Sequence, residues 1–171
     1  QEVVAAVEEA GILQDRIRRR GAPPWDYEDF LEDNRLRGFV TRAQEMTDQE
    51  VLDYIRRSRF GHALRSDLGA FLERVCEPIA VRSSSILEDS VYQPFAGVYA
   101  TKMIPNNQFS SESRLRTLGE AIKFVYASTF SRNAKSYRQA MGHSHQEEKM
   151  AVMIQEVIGL RHGDRFYPNI S

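Results

Sequence analysis

Arg82 lies in the segment Ile79-Ala80-Val81-Arg82-Ser83-Ser84-Ser85-Ile86-Leu87-Glu88-Asp89, and Phe95-Ala96-Gly97 follows shortly after. A short apolar strand runs into an arginine. A serine run follows, then an acidic pair and a small-residue turn. The planar arginine fork donates two parallel hydrogen bonds and stays charged at any physiological pH. Ser83 to Ser85 add hydroxyls, and Gly97 permits positive φ and close approach of backbone to a ligand. Together these groups suit a polyphosphate. The same residues also make an ordinary structural unit, an arginine at a strand end paired with Glu88 or Asp89 beside a serine-capped turn. The pattern alone leaves both readings open.

Other reactive residues are read as structural. His143-Ser144-His145 with Glu147 and Glu148 has the residue types of a metal cluster, but it follows Gly142 in a polar stretch and reads as a solvated loop. Zinc would need three or more ligands in fixed geometry, so no metal ligand is assigned. His62 and His162 have no partner at readable spacing. Cys76, between a helix and a strand, is expected to be a buried structural thiol. The cluster Arg16, Arg18, Arg19, Arg20 reads as a solvated helix face, and Trp25 after Pro23-Pro24 as a packing anchor.

The elements that position these residues change character at Pro78. Before it the pattern is helical. Val3, Val4, Val7 and Ala10 fall at helical spacing, Ile12 to Arg20 resume it, and Gly21-Ala22-Pro23-Pro24 breaks it. Asp26 can cap a short helix holding Tyr27, Phe30 and Leu31. Thr47-Asp48-Gln49-Glu50 is a capping-box pattern, followed by the apolar face Val51, Leu52, Tyr54 and Ile55. Leu64, Leu68, Phe71, Leu72 and Val75 form the next stripe. After Pro78, Ile79 to Val81 and Val98 to Ile104 read as strands. Ser110 to Ser113 offer an N-cap to a long helix with Leu115, Leu118, Ile122 and Val125 inward. Arg132 to Met141 reads as a further helix stopped by Gly142. Met150 to Ile158 is apolar almost throughout, so it is expected as a central strand. The expected class is α+β, a sheet with packed helices over 78–171 preceded by a small helical region over 1–77.

Composition excludes several functions. With 23 basic and 24 acidic residues the net charge is −1, so no global field draws nucleic acid or an anionic membrane. No apolar run approaches a membrane span. The single cysteine cannot form an internal disulfide, which agrees with a cytoplasmic location. The chain opens on Gln1 without an initiator methionine and stops at Ser171 without a capping signal, so it is expected to be an excised piece of a longer protein.

The ordered segments resemble a known family. Val81-Arg82-Ser83-Ser84 with Glu88-Asp89, then Phe95-Ala96-Gly97, then Ala127-Ser128-Thr129-Phe130, Arg132 to Arg138, and Met150 to Val157 are similar to the nucleotide-binding domain of phosphoenolpyruvate synthase and pyruvate phosphate dikinase. The resemblance covers about residues 77–171, and the first 76 match only loosely. It implies an ATP-grasp fold, mainly antiparallel sheet with packed helices. It implies ATP and Mg2+ as ligands, and transfer of a phosphoryl group through a histidine on a separate swivelling domain to pyruvate. By the same resemblance Arg82 holds the ATP phosphates and is the expected catalytic residue. Gly97 belongs to the loop over the phosphates. Thr101 and Lys102 line the nucleotide site from the following strand. Gln155 sits beside the adenine, where the backbone of Glu156 and Val157 would read the base edge. Pro94, Val98 and Ser85 stand where the family usually has Ser, Gln and Ala. The family's N-terminal Gly-Lys segment finds no match, and its magnesium ligands are expected beyond Ser171. An isolated piece is therefore expected to be inactive. Other acceptors, as in the similar glucan dikinases and an antibiotic phosphotransferase, and a non-catalytic nucleotide-sensing role are the alternatives.

Overall fold

The computed structural model describes residues 30, 32, 34, 36–85, 97–140, 150–163 and 165–168. Several expectations lie outside them: the helices before Phe30 with the arginine cluster and Trp25, the acidic pair Glu88 and Asp89, Phe95-Ala96, and the His143 to Glu148 stretch.

Among the described elements, three helices precede the sheet: α1 (Arg37–Arg42), α2 (Asp48–Arg56) and α3 (His62–Arg74). The α2 start follows from its sequence. The Thr47 hydroxyl accepts the Glu50 N–H at 3.3 Å, and the Glu50 carboxylate accepts the Thr47 N–H at 2.8 Å. This reciprocal cap leaves Val51 and Ile55 to be buried. In α3 the buried residues are Leu64, Leu68 and Leu72, one per turn along a single face.

Then come β1 (Ile79–Ser85), β2 (Thr101–Ile104), α4 (Ser111–Ser128), α5 (Arg132–Ala140) and β3 (Met150–Glu156). The three strands form one antiparallel sheet in the order β2-β1-β3, so β1 is central. A separate two-stranded hairpin joins β4 (Gly159–His162) to β5 (Arg165–Pro168). Ser110 caps α4, its hydroxyl accepting the Ser113 N–H at 3.2 Å. The helix packs across all three strands and against α2 and α3. It buries Leu118, Ala121, Ile122, Val125 and Tyr126 between the two layers. One core therefore runs from Phe39 and Val51 through Leu118 to Ile79, Val81 and Met150, on both sides of Pro78. Helices packed on an antiparallel sheet make the α+β arrangement expected, consistent with an ATP-grasp-like nucleotide-binding domain. Among the described residues no helix is long and apolar enough to cross a membrane.

Four local readings are corrected. The first strand does not end at Arg82 but continues to Ser85, because β3 pairs with it along its whole length. The second strand starts at Thr101, not Val98. The Ala100 N–H is taken by the Ser128 hydroxyl at 3.0 Å, and Tyr99 is buried among the helices. β3 is an edge strand among the described residues, and of its apolar side chains only Met150 is buried. Cys76 is exposed. The flanking carbonyls of Val75 and Glu77 turn inward to accept from the Asn106 amide at 2.9 and 3.0 Å, which leaves the intervening Cys76 outward.

Candidate functional site

Burial alternates along β1. Ile79, Val81 and Ser83 are buried, whereas Ala80, Arg82 and Ser84 are not. Strand residues alternate between faces, so the first set lies under α4 and the second forms a face that no helix covers among the described residues. Directly paired residues share a face, and the register extends the assignment to both neighbours. Thr101 and Met153 lie on either side of Arg82, and Met103 and Gln155 on either side of Ala80. Ala151 pairs with Ser84.

Arg82 thus projects, exposed, from the middle of the central strand, with the small residues Ala80, Ser84 and Thr101 on three sides and Met153 on the fourth. A permanent cation on an open face with room beside it can take a bulky anion. Of the serine run, Ser84 shares this face, while Ser83 is buried on the helix side. Gly97 lies just upstream of β2 with φ +80°, a conformation that disfavours any residue with a Cβ.

The expected site residues do not all meet. Arg82, Thr101 and Gln155 share the open face. Lys102 pairs with buried Val81 and belongs to the helix side, where its ammonium stands 5.5 Å from the centre of the Phe124 ring. This is cation–π geometry. Val157 follows β3, and its N–H donates to the Pro78 carbonyl at 2.8 Å. That bond makes Ile79 and Glu156 a non-hydrogen-bonded pair of the ladder. The peptide groups of Glu156 therefore point to the outer edge of β3.

Sequence reasoning missed Met103 and Met153 on the Arg82 face, because only strand register places them there. It also missed Arg138 on α5. That guanidinium is 1% exposed, and it donates to the Thr129 carbonyl at 2.6 Å and to the Tyr99 hydroxyl at 3.2 Å. The available signal was Arg138 four residues after Ala134, at a spacing that places both on the buried face of the helix.

Among the described residues, His62 and His162 gather no reactive partners. His162, on β4, is exposed and meets the Tyr167 ring edge-to-face at 5.7 Å, and His62 begins α3. No group of three or more His, Cys, Asp or Glu among the described residues could hold a metal ion.

Residues 2–163 match the family described as pyruvate phosphate dikinase, AMP/ATP-binding domain. The chain belongs to that family. The match begins well before Pro78, where the motif resemblance starts, and takes in the helices that share the core with the sheet. No curated protein matches the chain. The pyruvate phosphate dikinase family is one of phosphotransferases, and its AMP/ATP-binding domain supports ATP as the ligand.

Proposed function

We propose that this chain supplies the phosphate-holding part of the ATP site in a phosphotransferase resembling phosphoenolpyruvate synthase. In that reaction a phosphoryl group passes from ATP to a carrier histidine on a swivelling domain, and from there to pyruvate. The observation that carries the reading is Arg82, an exposed cation on a face of the central strand that no described helix covers, with Thr101 on one side of it and Met153 on the other.

In this reading the Arg82 guanidinium grips phosphate oxygens, and Thr101 offers a hydroxyl next to it. Gly97 lets the backbone approach the phosphates. Gln155 lies on the same face, and the outward peptide of Glu156 reads the adenine edge. Val157 contributes its carbonyl only, since Pro78 occupies its N–H. Lys102 is retained as a charge at the rim of β2. Phosphoryl transfer depends mainly on positioning and charge neutralisation, which these groups can provide. Mg2+ would accompany the nucleotide. The described residues do not form a site for it.

The test is Arg82→Ala in the full-length protein. Loss of a charge-assisted contact worth about 1.5–3 kcal/mol should weaken ATP binding about 10- to 150-fold, and Arg82→Lys should recover only part of it. Equilibrium binding of ATP and pyruvate-dependent ATP consumption are the readouts. Unchanged affinity and rate in Arg82→Ala would remove the assignment. Tight ATP binding by the wild type without consumption in the presence of pyruvate would favour another acceptor or a nucleotide-sensing role.

A further inference from the structure

A buried guanidinium is costly unless its hydrogen bonds are met inside the protein. Arg138 is buried on α5, and its two described partners lie in different parts of the chain. The Thr129 carbonyl belongs to the corner between α4 and α5, 2.6 Å away. The Tyr99 hydroxyl, 3.2 Å away, belongs to the turn that leads from Gly97 into β2. A second bond from the same corner holds that turn, the Ala100 N–H donating to the Ser128 hydroxyl, which in turn donates to the Val125 carbonyl at 2.6 Å. Tyr99 is itself 5% exposed, so its ring is part of the core while Gly97, two residues earlier, stands open to solvent. Ser128, at the α4–α5 corner, thus holds the backbone at Ala100, and Arg138 on α5 holds the Tyr99 side chain, both between the positive-φ glycine and the strand residue paired with Arg82.

We propose that Arg138 is a positioning residue for the phosphate end of the nucleotide site, acting through the Tyr99 hydroxyl to fix the turn that carries Gly97. The proposal rests on the reading of Arg82 and Gly97 as phosphate-holding groups. Arg138 touches no ligand. It sets where the Gly97 backbone stands relative to Arg82.

The test uses the full-length protein with ATP and adenosine as separate probes. Tyr99→Phe removes the hydroxyl and keeps the ring in the core. It should weaken ATP binding about 3- to 10-fold and leave adenosine, which has no phosphates, unchanged. Arg138→Lys should reproduce the direction of this effect, and Arg138→Met should exceed it. A loss of fold in Arg138→Met leaves Tyr99→Phe as the deciding variant. A purely structural role would lower the melting temperature of Tyr99→Phe and shift ATP and adenosine together or not at all, and that result overturns the proposal. Arg82→Ala is measured alongside. If it weakens ATP while Tyr99→Phe does not, the positioning role alone is lost. If Arg82→Ala has no effect either, the nucleotide reading itself falls.

Discussion

Asn106 adopts φ +52° just past the end of β2 and is 3% exposed. Its amide nitrogen serves the carbonyls of Val75 and Glu77, and its amide oxygen accepts from Arg114 Nε at 2.9 Å. Arg114 also donates to the carbonyls of Leu72 and Val75. Asparagine tolerates the left-handed region better than alanine, and alanine supplies neither donor nor acceptor. Asn106→Ala should therefore lower stability by about 2–4 kcal/mol in denaturant titration, and Asn106→Gly by less, since glycine keeps the backbone and loses only the bonds. Gly97→Ala tests the other positive φ. A Cβ there meets nothing within 4 Å among the described residues, so backbone strain of about 1–2 kcal/mol opposes it. At this scale the exposure of Arg82 was legible, because an arginine at the end of an apolar run has few places to point. Cys76 was not. Its exposure depends on where Asn106 sends two neighbouring carbonyls, and Asn106 is 30 residues away in sequence.

The capping box of α2 was readable in full, since all its atoms belong to four consecutive residues. Hydrogen bonds from Thr47, first its backbone N–H and then its hydroxyl, hold the Glu50 carboxyl below its ordinary value. A lowered carboxyl pKa stabilises the fold above the ordinary glutamate range, and that contribution is lost as pH falls through the lowered value. Thr47→Ala should reduce stability by about 1 kcal/mol near neutral pH. The deficit relative to wild type should shrink as the medium is acidified through the carboxylate range, as followed by urea midpoints at several pH values. The hairpin is governed by Gly159. A Cβ there falls on the Tyr167 carbonyl oxygen and lies 2.6 Å from the Phe166 ring. Gly159→Ala should open the β4–β5 pair, visible as faster amide exchange at Leu160 to His162 with exchange in α4 unchanged. The hairpin escaped the sequence reading because its strands lack alternation: Gly159 begins one, and Pro168 ends the other.

Across the whole molecule, α4 binds the helical layer to the sheet. Phe39 stacks on Tyr54 at 4.5 Å and meets Phe130 edge-on at 5.3 Å, which joins α1, α2 and the end of α4. Lys123 donates to the Arg56 carbonyl at 2.9 Å, and the Arg132 N–H donates to Asp48 at 2.8 Å. A core continuous from helices to sheet should unfold as one unit, so Leu118→Ala should shift a single transition by about 2–5 kcal/mol, with helix and sheet signals moving together. Two separate transitions would show the layers to be independent. The sequence by itself determined the local elements whose causes are local: the capped starts of α2 and α4, the apolar stripe of α3, the short apolar strand after Pro78 and the order of segments that marks the family. Tertiary structure alone decided which of these residues stand together. Register put Thr101 and Gln155 on the face of Arg82 and turned Lys102 to the other side, because one residue along a strand reverses the face. Packing chose a buried Arg138 to hold Tyr99, because only the folded chain brings the α4–α5 corner against the turn before β2.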